Sequence, residues 1–591
     1  MKKNLALLSA ALIIIAVSCG KEPVVPDPGT TTIVTEDIAG RLVSIQEFGV
    51  LPSNSAATNK KNLQEAIDKA ASAGLALYVT PVENGYPMDG GLVLKKNVSL
   101  IGAHGPTGRG TANAKKDGPT GSLFVIKDKS HVFITVESAT QIKGIQFYYP
   151  DQTWTDGSRI IAYPATIQGS QTANPQGVTL KDLSFYGEYF AMDFRQKGAC
   201  EQILFENCYG YPLSGQFIAI DKCYDIPRIL HCHVNPANMR EFGRSFNASV
   251  IDKVVAKKAY TYWIDHTDNA VMMDAFTFGN YGGIYLGENT YGQLTNFNLD
   301  CVAIGIYKIS NGNTNRTWQI AQGSIIANIG TNIDDIHPIV ITGAGGHTSL
   351  TAVECFSGMN GALSCYGASK DFLYLPGEGS LTVSMLGCRM RSYVADDPVT
   401  VENPLATVSI VGCFDKNDNV YEKTILPSLV YESGTKTMLD GCDNASGWQS
   451  SVGSISLDSS DKKEGNACIS ASGKPNGHLL FLKNFSPVNT KVSHAHGHLH
   501  LWLYISDASV TSGEGAIEVT SSGTCDKEEY AWHLSPLGLK NGWNEIDLKL
   551  SAAGITGSQP NLKAMNYMRI YLVNVNKSIT VKLDDVYFYE E

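Results

Sequence analysis

The feature that most constrains this chain is a short apolar repeat in its middle. Apolar residues stand at relative positions 0, 2, 5 and 7, with a polar pair between the second and third. Copies read Ile142/Ile145/Phe147, Val178/Leu180/Leu183/Phe185, Ile203/Phe205/Cys208, Ile229/Cys232/Val234, Val271/Met273/Phe276/Phe278, Leu350/Ala352/Cys355, Leu381/Val383/Leu386/Cys388 and Val408/Ile410/Cys413. The 0, 2 spacing is a strand with alternate side chains turned inward. The step of three is a one-residue corner, and the second pair is the next strand. Several copies recur about 23 to 31 residues apart, one coil of a solenoid in which like residues stack in ladders. The fold class expected is all-β, a right-handed parallel β-helix over residues 41–430.

This repeat also accounts for the cysteines. Cys208, Cys232, Cys355 and Cys413 are expected in one inward slot, with Cys301 and Cys388 in the slot after it. Their spacing fits neither a disulfide framework nor a CxxC metal site, so they read as small buried apolar groups. The polar corner carries Asn207 and Asn298, similar to the asparagine ladder of pectate-lyase-like β-helices. Ahead of the repeat stand Phe48-Gly49-Val50, an amphipathic helix around Asn62–Ala70, a strand Leu75–Val79, Gly85-Tyr86 and Val98–Gly102. That order resembles the pectate-lyase superfamily and family 28-related proteins. The resemblance implies a helix capping the open first coil, where apolar core and strand edge would otherwise be bare.

From about residue 436 to 591 the texture changes to alternating strands between polar turns, as in Leu499–Tyr504 and Ile579–Phe588. This reads as an antiparallel β-sandwich. Lys463-Glu464-Gly465, Gly542-Trp543-Asn544 and Leu583–Val586 make it similar to the galactose-binding-like jelly rolls attached to bacterial polysaccharide enzymes. Glu464 and Asp585 are the expected ligands of a structural calcium, which prefers oxygen donors, with ordinary turn carboxylates as the alternative. Trp448, Trp502, Trp532 and Trp543 are either sugar-stacking or core residues, and core is the reading for Trp502 and Trp543.

The N-terminus has Lys2 and Lys3 before an apolar run, Leu5–Val17, that is short for a bilayer span. The run ends in Ala16-Val17-Ser18-Cys19-Gly20, which resembles a bacterial lipoprotein signal box. That resemblance implies cleavage after residue 18, lipidation of Cys19, and anchorage in the cell envelope, at the outer membrane or on the periplasmic face. Residues 19–40, with their prolines and threonines, read as a tether. A net charge of −11 leaves no basic footprint for nucleic acid and no general attraction for acidic glycans, so any such attraction must be local.

Chemistry is expected on the outside of the coil. Rungs about 4.8 Å apart place carboxylates of adjacent rungs at about 5 Å, and those two rungs apart at nearly 10 Å. These separations bracket the retaining and inverting geometries of glycosidases. The outward slot after the corner is read as Ser184, Tyr209, His233, Thr277 and Asp300. Beside it falls an insertion after Val234, carrying Arg240 and Arg244 and returning through Tyr260–Asn269. Insertions on regular scaffolds are where function concentrates. Asp265, Asp268 and Asp300 are therefore the acid/base candidates. His233 either assists proton transfer or binds substrate. Arg240, Trp263, His266, Tyr209 and Arg228 are the substrate-binding candidates. A second loop, Asn332–His337 with Gly346-His347, is similar to the Asp-Asp and Gly-His elements of family 28 polygalacturonases. It lacks that family's other elements, which leaves a polar loop as the alternative.

Three functions follow: a glycoside hydrolase or polysaccharide lyase on a plant or host glycan, a non-catalytic surface glycan binder, or a structural surface protein. The aromatic and charged insertion favours the first two.

Overall fold

The computed structural model describes residues 42–103, 121–195, 198–310, 316–356, 365–377, 379–427 and 433–591. The signal segment, the Cys19 lipidation site and the 19–40 tether lie outside these residues. No helix among the described residues is long and apolar enough to cross a membrane.

The apolar repeat folds as expected. From Leu42 to Phe414 the chain winds as a parallel β-helix with three faces, and strand Val420–Ile425 closes it by pairing antiparallel with Ala406–Phe414. Strands of the first face run from Ala76–Val79 through Ala406–Phe414, each paired in parallel with the strand one coil on. The second face follows across a tight corner, from Tyr86–Met88 to Arg389–Met390. The third is a sheet of eleven parallel strands, from Leu92–Leu94 to Val399–Val401. The corner between the first two faces is a single left-handed residue, as at Asp182 (φ 54°), Asn207 (φ 57°), His231 (φ 54°), Asp274 (φ 54°) and Asn296 (φ 54°). Asparagine and aspartate tolerate this conformation better than most side chains, and they bond along the ladder. Asn207 Nδ2 donates to Asp182 Oδ1 at 2.7 Å. Asn298, expected at this corner, instead sits in a strand of the second face, and Asn296 takes the corner.

The register departs from the apolar repeat in places. The inward residues of the seventh coil are Ala270, Met272, Ala275 and Thr277, not Val271, Met273, Phe276 and Phe278. Thr277 is therefore buried, and the outward row runs Ser184, Tyr209, His233, Phe276, Asn298. Apolar identity misled here because aromatic rings also stack along the outer wall: His233 stacks on Phe276 with ring centroids 4.2 Å apart. Likewise Val353 and Met385 point inward, where Ala352 and Leu386 were expected. Cys388 consequently shares the slot of Cys208, Cys232 and Cys413, and Cys355 lies in the slot beyond. All of these cysteines are buried and free.

Helix Ala56–Ala73 caps the first coil. Ser55 accepts from the Thr58 N–H, Gly74 ends the helix at φ 67°, and Leu63, Ala66, Ile67 and Ala70 turn into the core. The insertion after Val234 forms a 3-10 turn, Pro236–Phe242, and a helix, Ala248–Val255. Phe242 stacks on Tyr148 and meets Tyr186 edge-on. The insertion thus packs back over earlier rungs.

From Lys436 onward two antiparallel sheets enclose a second core, which includes Trp448, Leu501, Ile517, Met568 and Leu583. Trp448 and Trp532 are buried in this core. Trp502 and Trp543, read as core, lie on the outer side of their sheet, where the Lys463 ammonium sits over both rings.

Candidate functional site

The third face carries the site. Along a β-strand alternate residues face out, so one outward column crosses the rungs at Asp193, Ala219, Trp263, Tyr285, Tyr307 and Val340. Trp263 and Tyr285 are parallel within 1°, with centroids 5.5 Å apart, and Tyr285 and Tyr307 follow at 5.9 Å and 4°. All three rings are part-exposed. Tyr260 lies against Tyr285 and Tyr307 and covers Gly282, where a Cβ would stand 2.2 Å from its ring. At the other end the Arg195 guanidinium, bound to Asp193 at 2.9 and 3.1 Å, lies over the rings of Phe190 and Trp263. The result is an aromatic strip three rungs long.

Two residues beyond the strip, at the end of each strand, stands a carboxylate pair. Asp221 and Asp265 are in register on adjacent rungs. His266 follows Asp265 in a left-handed conformation (φ 40°) that turns its ring back. Its Nδ1 lies 2.9 Å from Asp221 Oδ1 and 3.4 Å from Asp265 Oδ1. The His266 backbone N–H donates to Asp265 Oδ1 at 3.0 Å. The next rung has Gly287 in this column, and a Cβ there would stand 2.4 Å from Asp265 Oδ1. The missing side chain makes the space in which the Asp265 carboxylate lies.

Asp265 is held in the proton-retaining range. Burial is the main cause, opposed by His266 and reinforced by the charges of Asp221 and Glu288, and together these push its pKa up to about 6. A carboxyl whose pKa is raised toward neutrality, beside a second carboxylate, is the arrangement required of a general acid and its partner. Asp221, Asp265 and His266 also have ligand atoms all within 4.8 Å of one another. Among the described residues they are the one group of three or more His, Cys, Asp or Glu side chains so placed, and this oxygen-rich set could hold a divalent cation.

The expected site residues divide among the faces. Asp265, His266 and Trp263 come together. Asp268 lies just past them, 3.6 Å from the Arg316 guanidinium. His233 and Tyr209 stack on each other on the second face, centroids 5.0 Å apart, in a ladder that ends on Phe276. Asp300 is also on the second face, in register with Phe278. Arg228 is on the first face, between Leu204 and Val271. Arg240, in the 3-10 turn, donates to Ser245 Oγ at 3.4 Å. None of these five lies on a strand of the third face. In the second loop, His337 is buried against Asp371 at 2.8 Å and stacks on Tyr374, so it braces the wall. In the sandwich, Asp584 rather than Asp585 accepts the backbone N–H groups of Lys463 and Glu464. Asp585 and Glu464 are close enough to repel, which helps raise the Asp585 pKa after burial.

Asp221 was missed, although the sequence carries a signal for it. Phe217-Ile218-Ala219-Ile220-Asp221-Lys222 and Thr261-Tyr262-Trp263-Ile264-Asp265-His266 are the same strand one coil apart, each ending in Ile-Asp followed by a basic residue.

No family model matches the chain, and no curated protein matches it. Among solved structures it is similar to tailspike protein gp49 of Acinetobacter baumannii bacteriophage Fri1, a capsular polysaccharide depolymerase, at 11% identity over 93% of this chain and 85% of that one, with a TM-score of 0.34. The gp42 tailspike of Acinetobacter phage vb_AbaP_AS12 is 10% identical over 75% and 77% of the two chains, TM-score 0.39. The family 11 carbohydrate-binding module of cellulase Lic26A-Cel5E from Clostridium thermocellum is 15% identical, covering 27% of this chain and 97% of its own, TM-score 0.20.

Proposed function

We propose that this protein cleaves a polysaccharide laid along the third face, with Asp265 as general acid and Asp221 as its partner carboxylate. The observation that carries the reading is the in-register pair on adjacent rungs, with ligand atoms within 4.8 Å of each other, set at the edge of a three-ring aromatic strip. Flat rings present apolar faces that stack on the faces of sugar rings. Protonated Asp265 gives its proton to the glycosidic oxygen as the bond breaks. The Asp221 side chain attacks the anomeric carbon from the other side, and water then releases the sugar with Asp265 acting as base. His266, beside both carboxylates, fixes their orientation. Lipidation at Cys19 would hold this activity at the cell envelope, facing polymeric substrate.

The test is a panel of plant, host and capsular polysaccharides incubated with the purified chain. New reducing ends, absent with Asp221→Asn, support the reading. Unsaturated ends would replace hydrolysis with a lyase reaction. Binding without cleavage of any polymer would leave a surface glycan binder and overturn the proposal.

A further inference from the structure

Glu188 is a carboxyl set wholly inside the protein. It lies on the turn between strands Ser184–Tyr186 and Met192–Phe194, at the corner from the second face to the third, and is 0% exposed. Its Oε1 accepts the Tyr211 N–H at 2.6 Å, and Glu188 O accepts the Leu213 N–H at 3.0 Å. Its Oε2 is buried with no hydrogen-bond partner among the described residues. Gly210 makes the room: a Cβ there would stand 2.5 Å from Oε1. The insertion 235–259 rests on this same corner. The Asn235 N–H donates to Gly210 O at 2.9 Å, Phe246 lies against the Tyr211 ring with centroids 5.6 Å apart, and Asn238 Nδ2 donates to Phe185 O at 2.6 Å. Asn238 Oδ1, like Glu188 Oε2, is a buried acceptor without a donor.

The charged and titratable groups on the packed elements are engaged elsewhere. Tyr149 bonds Thr166 Oγ1 at 2.7 Å, and Tyr211 Oη donates to Gly279 O at 2.7 Å. Arg244 lies over the Trp154 and Tyr148 rings, and Arg240 reaches Ser245 Oγ. Lys257, over the Tyr189 ring, and Asp252 are exposed. Burial dominates, against the pull of backbone N–H groups, and raises the Glu188 pKa to about 8. An ionised carboxylate in such a place is costly. Its coil side is closed by the core rings Phe185 and Phe217, so lifting the insertion is the way to bring it water.

We infer that Glu188 is a proton latch: the insertion 235–259 is seated on the coil while Glu188 is the neutral acid, and it lifts with loss of that proton while the coil stays wound. The strand that follows, Tyr260–Thr267, carries Trp263 and Asp265, so the latch borders the ring strip and the carboxylate pair without belonging to either. The folded pKa lies above the unfolded one. The stability tied to this proton is therefore complete below the ordinary carboxylate range and is lost as pH rises through about 8.

Amide hydrogen exchange of the purified chain from pH 5 to 9, corrected for the intrinsic rise of exchange with pH, tests the latch. Helix Ala56–Ala73 serves as internal reference, and residues 235–259 contain no histidine to titrate in this range. Protection of 235–259 is expected to fall by up to about tenfold per pH unit and to level off above about 8, while the helix keeps its protection. Glu188→Gln, whose amide has the shape of the neutral acid, is expected to keep 235–259 equally protected throughout. Flat protection in the parent, an equal fall in Glu188→Gln, or simultaneous loss in the helix overturns the latch. A Glu188→Gln chain that does not fold at pH 7 also counts against it, because the amide stands in for the protonated state. Polymer cleavage enters none of these readings, so they stand apart from the proposed function.

Discussion

Asp221 and Asp265 stand opposite each other across one rung, and His266 Nδ1 reaches both, at 2.9 and 3.4 Å. A carboxylate pair one rung apart has the short separation that leaves no room for a water between acid and partner, the spacing of a retaining mechanism. The rung spacing itself sets that separation.

Asp221→Asn and Asp265→Asn are each expected to lower turnover by about 10²–10⁴-fold, the range for losing a general acid, with a comparable loss for the partner. The folded state persists in both, measured by thermal melting.

The raised pKa of Asp265 fixes a sign for both activity and stability. Its acid form is required, so turnover falls as pH rises through about 6, and Asp265→Asn removes that limb from the residual activity. Because the folded pKa lies above the unfolded one, the stability this group confers is complete below pH 4 and is lost as pH rises through about 6. Asp265→Asn therefore melts no lower than the parent at neutral pH, and its stabilisation there is of order 1 kcal/mol. A melting point that drops sharply in this variant would contradict the assignment.

Gly287 offers a test that leaves both carboxylates in place. Gly287→Ala puts a methyl where the Asp265 carboxylate lies. Activity is expected to fall at least tenfold, with substrate binding retained, since the ring strip is untouched. Parent-like kcat would show that the observed position of Asp265 is not the working one.

Replacing the stacked rings should act on binding. Tyr285→Ala removes the middle ring, which meets both Trp263 and Tyr307. KM for polymer is expected to rise about tenfold, with kcat little changed, since a uniform binding contact is lost. His233→Ala on the second face serves as the control and leaves both constants near the parent values.

Much of this fold was legible because the inward slots of a β-helix are filled by few residue types at fixed steps. The corner between the first and second faces is one residue long, so Val178/Leu180/Leu183/Phe185 declares two strands at once. The third face was not legible this way. The loop leading into it runs from Tyr211 to Phe217 in one coil and from Asn235 to Ala259 in the next, so no fixed spacing links Asp221 to Asp265. Only the local likeness of Ile220-Asp221 and Ile264-Asp265 joins them. The outward row containing His233 was misjudged for another reason. Phe276 is apolar yet faces out, because ring-on-ring stacking makes an outer wall position acceptable to phenylalanine.

The measurement that bears most directly on the carboxylate pair is proton NMR of the first sugar released from a cleaved polymer. The account predicts that the new reducing end initially has the same anomeric configuration as the bond that was cut, and that Asp221→Asn abolishes its formation. An inverted first product, an unsaturated one, or undiminished cleavage by Asp221→Asn would contradict it.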